Sequence, residues 1–157
     1  MPVDEASERY DVEDPFTLNP VGRSVSIPPT WTAVVEVESY LSHSVDWPEG
    51  HAVAEISLVG TEGERETLAL RAGWHTAEWA YDRSDVRSVV RHTQAPVARS
   101  WPARSGFPPE NHAGYVYRAR FRLQTPLTVR AVEVQPLVPA AYVRIERLIL
   151  VDEANTR

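Results

Sequence analysis

From Trp31 to Leu41 the chain alternates: Ala33, Val35, Val37, Ser39 and Leu41 fall on one phase, Thr32, Val34, Glu36, Glu38 and Tyr40 on the other. A period of two places successive side chains on opposite faces of a strand and marks one face for a core. A second run, Ala52 to Val59, leads into the turn signal Gly60-Thr61-Glu62-Gly63, and a third, Glu66 to Arg71, leaves it. Together they predict a β-hairpin. Strand patterns return at Ala95–Trp101, Tyr115–Leu123, Leu127–Val134 and Ala141–Val151. In the last of these both faces are partly apolar near the end, which predicts a strand with neighbours on both sides. About seven short strands with turn-rich links and almost no helix predict an all-β chain, an antiparallel β-sandwich of jelly-roll type.

Two stretches break the alternation. Between Gly73 and Gln94, WHTAEWAYDRSDVRSVVRHTQ predicts a long connection, with one short helix over Ser84–His92, Ser84 as its N-cap and Val86, Val89 and Val90 on one side. From Pro102 to Gly114, FPPENHAG and the adjacent Pro108 and Pro109 predict irregular backbone. Residues 1–30 read as an acidic, proline-punctuated lead-in, partly extended or disordered. The sandwich is placed at 31–152 and a short tail at 153–157.

At 157 residues and 43% hydrophobic content the chain is long enough for one domain with a real core. It has no cysteine, which excludes disulfides, thiolate metal sites and a cysteine nucleophile. The net charge of −6 is uneven: Asp4, Glu5, Glu8, Asp11, Glu13 and Asp14 against Arg9 alone give the first 14 residues −5. The body is therefore almost neutral, which argues against a nucleic-acid partner. All sixteen basic residues are arginine, as expected of a GC-rich coding sequence. No apolar run reaches the ~20 residues a membrane span needs, and the acidic N-terminus does not read as a signal peptide. Localisation stays unknown on these grounds.

The order of elements, closing on YVRIERLILVD, resembles the galactose-binding-like β-sandwiches, a superfamily that includes many carbohydrate-binding modules and discoidin-like domains. The resemblance spans roughly residues 31–152 and rests on strand pattern. It implies a non-catalytic binding or accessory module, commonly extracytoplasmic, and part of a larger protein or assembly. No ligand or calcium motif accompanies it.

The connection offers the chemistry such a module needs. Trp74, His75, Glu78, Trp79, Tyr81, Asp82 and Arg83, joined by Trp101, combine flat aromatic faces for the C–H surface of a pyranose with groups that hydrogen-bond hydroxyls. Carbohydrate is the expected ligand. The alternative is a structural or protein-interaction domain in which the same aromatics pin the connection to the fold. A small glycoside hydrolase-like enzyme is a third possibility, with Glu78 and Asp82 or Asp85 as acid and base, or Ser100 or Ser105 with His92 as nucleophile and base. No G-x-S-x-G signature accompanies either set, so an enzyme is not the expectation. His75, Glu78 and Asp82, with His43, His51, His92 or His112, lack the spacing of a transition-metal site; no cofactor is expected, while calcium held by loop carbonyls stays open. Arg118, Arg120 and Arg122 share one strand face, with Glu133 or Glu146 as expected partners.

Overall fold

The computed structural model describes residues 8–12 and 24–153, and these build a mostly antiparallel β-sheet structure. In chain order the strands are β1 (Glu8–Asp11), β2 (Ser24–Leu41), β3 (Ala52–Gly60), β4 (Arg65–Arg71), β5 (Val97–Ser105), β6 (Glu110–Pro136) and β7 (Val143–Asp152). One helical turn, α1 (Ser84–Arg87), lies between β4 and β5, and a 3-10 turn, Ala140–Tyr142, precedes β7. Hydrogen bonding links the strands in the order β1-β7-β2-β6-β3-β4, with β5 paired to the first part of β6.

The hairpin predicted from the glycine-flanked turn is present as β3 and β4, with Ile56 opposite Leu68 and Leu58 opposite Glu66. β7 lies between β1 and β2, as its two apolar faces require. Its alternate residues serve two clusters. Ile145, Leu148 and Leu150 join the main core with Val35, Val37, Leu41, Val53, Ile56, Leu58, Leu70, Val129 and Val132; Ile149 and Val151 pack with Ala33 and Val34 on the other face. The main cluster unites residues of β3 and β4 with residues of β7, which are not neighbours in the sheet, so the sheet curls around its own apolar face.

The curl comes from long strands bent at prolines and bulges. β2 carries Pro28 and Pro29 where its register with β6 shifts between Ser26 and Thr30; a second shift sets Thr32 opposite Leu127 and Val34 opposite Arg122. The surplus residues of β6 at this second shift include Pro126, a position where a missing N–H breaks no ladder bond. This corrects two boundaries. The runs at 115–123 and 127–134 are one strand, because pairing with β2 resumes on either side of the bulge. The stretch expected to be irregular, 102–114, is mostly hairpin: only 106–109 turn, and Pro102 is accommodated because β5 pairs with β6 alone.

Two further corrections concern local structure. The helix is four residues instead of nine, since Val89 is 55% exposed and, of the three valines, only Val86 is buried. Its N-cap is Arg83, without a side-chain cap, and the Ser84 hydroxyl donates to Glu110 instead. The lead-in also contributes structure upstream of Trp31. β1 pairs with β7, Val12 is buried in the main cluster, and residues 24–30 belong to β2. Residues 1–7, 13–23 and 154–157, which include the rest of the lead-in and most of the predicted tail, lie outside the described residues.

The arginine face of β6 is ion-paired, with partners other than those expected. Arg118 meets Glu38 at 3.1 Å, Arg120 meets Glu36 at 2.7 Å and also Glu153, and Arg122 meets Glu153. Glu133 instead takes Arg65 from β4. Register explains the choice, because Glu36 and Glu38 stand directly opposite Arg120 and Arg118. Burial alone would raise the Glu36 carboxyl, but Arg9 and Arg120 together hold it below the usual glutamate value.

Candidate functional site

The connection between β4 and β5 is fixed by buried polar groups. Its segment at Ala77–Trp79 docks beside the end of β2: Leu41 N–H donates to the Ala77 carbonyl at 2.9 Å and Trp79 N–H to the Leu41 carbonyl at 2.8 Å. The Trp79 carbonyl in turn accepts from Tyr115 N–H at 3.0 Å, tying the segment to β6. Glu78, between these contacts, is only 3% exposed. Its carboxylate accepts from the Ser44 hydroxyl at 2.6 Å and the Ser44 amide at 3.2 Å. Burial raises its carboxyl above the usual value, although both Ser44 bonds and nearby His43 and Arg83 oppose the shift.

His92 performs a similar task. Its Nε2 accepts from Glu78 N–H at 3.2 Å, and the Trp47 carbonyl lies 2.9 Å from Nδ1. A carbonyl only accepts, so Nδ1 carries the proton and Nε2 is the acceptor. Burial holds the imidazole below its ordinary value, against the opposing pull of the Trp47 carbonyl and Glu49, and so favours this neutral form. The Tyr81 hydroxyl donates to the His92 carbonyl at 2.9 Å, and the Tyr117 hydroxyl to the Glu78 carbonyl at 2.8 Å. Three of the candidate acid, base or ligand groups, Glu78, Tyr81 and His92, are therefore occupied in holding the connection together and to the 44–47 turn. Asp82 accepts from the Tyr115 hydroxyl, and Asp85 holds Arg83 at 2.7 Å. The carboxylates proposed as an acid–base set thus have separate partners. The serine expected beside His92 is elsewhere: Ser105 contacts His112.

The eight candidate residues divide into groups. Trp79 and Trp101 come together, both half-buried, with ring planes within 10° and centroids 6.5 Å apart. His112 meets the Trp79 ring at 5.3 Å in an edge arrangement, and the Arg99 guanidinium lies 5.2 Å from the Trp101 centroid. Trp101 lies against Gly114, its cross-strand partner. A Cβ at Gly114 would meet the indole at 2.6 Å, so only glycine lets the ring lie down on the sheet.

Trp74 and His75 sit apart from this pair. Trp74, 54% exposed, packs over Gly50 with Arg71 at 5.5 Å. His75 meets the Phe121 ring at 4.6 Å in a tilted arrangement, and its Nδ1 accepts from Arg71 N–H at 2.9 Å. Burial, reinforced by Arg71, lowers its affinity for a proton.

The two tryptophans border an open depression of about 520 Å³ that also takes in Tyr40, Ser42, Arg144 and Glu146. Tyr40 and Arg144 are cross-strand partners at the end of β2 and the start of β7. Burial, with Glu146 nearby, keeps the Tyr40 phenol protonated beyond its ordinary range, against the pull of Arg144 and Arg99. Tyr40, Arg99, His112, Arg144 and Glu146 lie outside the eight residues expected to bind ligand, His112 and Glu146 having other expected roles. Their one legible signal is Tyr40, an aromatic on the outward phase of an alternating strand. Among the described residues no group of three or more His, Cys, Asp or Glu side chains is placed to hold a metal ion. No helix among them is long and apolar enough to cross a membrane. No protein-family model matches the chain, and no curated protein or solved structure does either.

Proposed function

We propose that this chain is a carbohydrate-binding module whose ligand lies on the Trp79–Trp101 face. The observation that carries this reading is the near-parallel pair of half-exposed indoles beside a polar depression. Flat indole faces match the apolar C–H surface of a pyranose, while the Tyr40 hydroxyl, Ser42, Arg144 and Glu146 supply donors and acceptors suited to ring hydroxyls. The surrounding polar pins favour binding too, because a surface fixed in advance loses little entropy when a ligand arrives. Within the same proposal the curled sheet is a jelly-roll-type sandwich akin to the galactose-binding-like domains. Its main core cluster spanning β3, β4 and β7 supports that assignment. Trp74 and His75 are outside the proposed site. Glu78 and Tyr81 support it from below as structural groups.

Titration of the full chain with a panel of soluble glycans, followed by tryptophan fluorescence and calorimetry, tests the proposal. Saturable binding that Trp101→Ala weakens at least about tenfold is expected, since an aromatic contact contributes ~0.5–1.5 kcal/mol beyond the area it buries. If no glycan binds at millimolar concentration, the carbohydrate assignment fails and the protein-interaction reading takes its place.

A further inference from the structure

The turn of the β5–β6 hairpin gathers a serine, a histidine and an arginine whose hydrogen bonds run in one direction. Ser105 Oγ and His112 Nε2 are 2.7 Å apart, and His112 Nδ1 is 2.9 Å from the Ala113 carbonyl. Because that carbonyl accepts only, Nδ1 bears the proton of the neutral ring; Nε2 is then the acceptor and the Ser105 hydroxyl the donor. Arg83 donates to the same Ser105 oxygen from Nη1 at 2.7 Å. The guanidinium is itself fixed by Asp85, at 2.7 Å from Nε and 3.3 Å from Nη2. Its stem crosses Gly106, where φ is +105° and a Cβ would come within 3.1 Å of Arg83 Cδ. Glycine therefore meets a conformational and a steric need at once, and it gives the arginine its path to Ser105.

We propose that Ser105 and His112 form a nucleophile–base pair able to cleave a carboxylic ester, with Arg83 facing the developing oxyanion. The geometry has the parts such chemistry requires: a hydroxyl on a base, the base oriented through its second nitrogen, and a fixed cation beside the reacting oxygen. His112 also lines an open depression of about 850 Å³ with Trp101 and Asn111; Asp85, Gly106 and Glu110 line another of about 340 Å³ at the same turn. Ser105 is half-buried, and its chain neighbours Arg104 and Gly106 line the first and the second of these depressions.

In the first step the Ser105 oxygen adds to the acyl carbon as its proton passes to His112 Nε2, and the carbonyl electrons move onto oxygen beside Arg83. Collapse re-forms the carbonyl and breaks the bond to the alcohol oxygen, which leaves with the proton held by His112. Water then adds to the acyl-serine with His112 again taking a proton. Loss of Ser105 as the leaving group, reprotonated by His112, frees the carboxylic acid and restores the hydroxyl. No oxidant, reductant or metal enters the balance.

The full-length chain is treated with a fluorophosphonate probe, the modified residue is mapped by mass spectrometry, and 4-nitrophenyl acetate hydrolysis is followed at 400 nm on the order of pH 8. Labelling at Ser105, with its loss in His112→Gln, is expected. Hydrolysis is expected to fall at least about 100-fold in Ser105→Ala and in His112→Gln, the scale of a positioned general base. Absence of label at Ser105 in the unmodified protein, or equal hydrolysis by that protein and Ser105→Ala, overturns the proposal. The labelling arm needs no variant, so a misfolded substitution cannot decide it. Neither arm uses a glycan, so the result is independent of the reading of the Trp79–Trp101 face.

Discussion

Val12 lies one residue beyond β1 and is 1% exposed in the main core, with its amide donating to the Leu148 carbonyl at 2.9 Å. Replacing it with alanine removes two buried methyl groups. At ~0.8 kcal/mol per buried carbon the transfer cost is about 1.6 kcal/mol. The space left behind adds about 1 kcal/mol where neighbouring side chains cannot close it. Val12→Ala should therefore destabilise the protein by about 2–3 kcal/mol, the lower end applying if the short β1 segment shifts inward. For a chain of this size that lowers Tm by about 4–10 °C. Urea unfolding followed by tryptophan fluorescence measures the difference, and Val89→Ala, at a 55% exposed position, should stay within about 0.5 kcal/mol of the parent. A Val12→Ala midpoint indistinguishable from the parent, at unchanged m-value, would refute the reasoning. The segment would then lie outside the cooperative unit, and the domain would start near Trp31 after all.

Glu78 sets a pH dependence of definite sign. Its folded carboxyl binds a proton more tightly than the unfolded one, so its contribution is fully present below the unfolded value and is lost as pH rises through the raised folded value. Glu78→Gln, which keeps an oxygen for Ser44, should flatten that decline and gain stability relative to the parent above the ordinary glutamate range; parallel stability–pH curves would show the shift is absent. Gly114→Ala should lift Trp101 off the sheet, changing its fluorescence and weakening glycan binding about 3- to 10-fold. Unchanged emission and affinity would mean the indole has room the 2.6 Å approach denies.

Features encoded by neighbours in sequence were legible, and those made by partners far along the chain were not. The β3–β4 hairpin needs only two alternating runs and a glycine-flanked turn, all within residues 52–71. β6 reads as two strands because Pro126 interrupts the local pattern; only β2, some ninety residues earlier, shows that the chain continues through a bulge. β1 has just four residues, and its place depends on β7 at the opposite end of the sequence. Valine spacing suggested nine helical residues, but Val89 has nothing to pack on. At the site, Trp79 could be named from the aromatics of the 73–94 connection, and Trp101 from its place beside the second break in the alternation, although it lies on β5. The polar rim could not, because Tyr40, Arg144 and Glu146 converge only when β2 pairs with β7.

That distinction also separates support from surface within the connection. Glu78, His92 and Tyr117 are buried and hydrogen-bonded in ways that leave little capacity for a ligand. Burying such groups is costly unless their bonds are made, and the bonds made here run to the 44–47 turn, to β6 and across the connection itself. A network of this kind has one low-energy arrangement. It therefore fixes the Trp79 backbone between Leu41 and Tyr115, while Gly114 fixes the Trp101 ring from beneath. Neither tryptophan depends on a flexible loop for its position. Within the 74–83 segment the buried Glu78 thus helps hold half-buried Trp79 in register, and disrupting Glu78 or His92 should impair the proposed aromatic face through displacement instead of through loss of a direct contact.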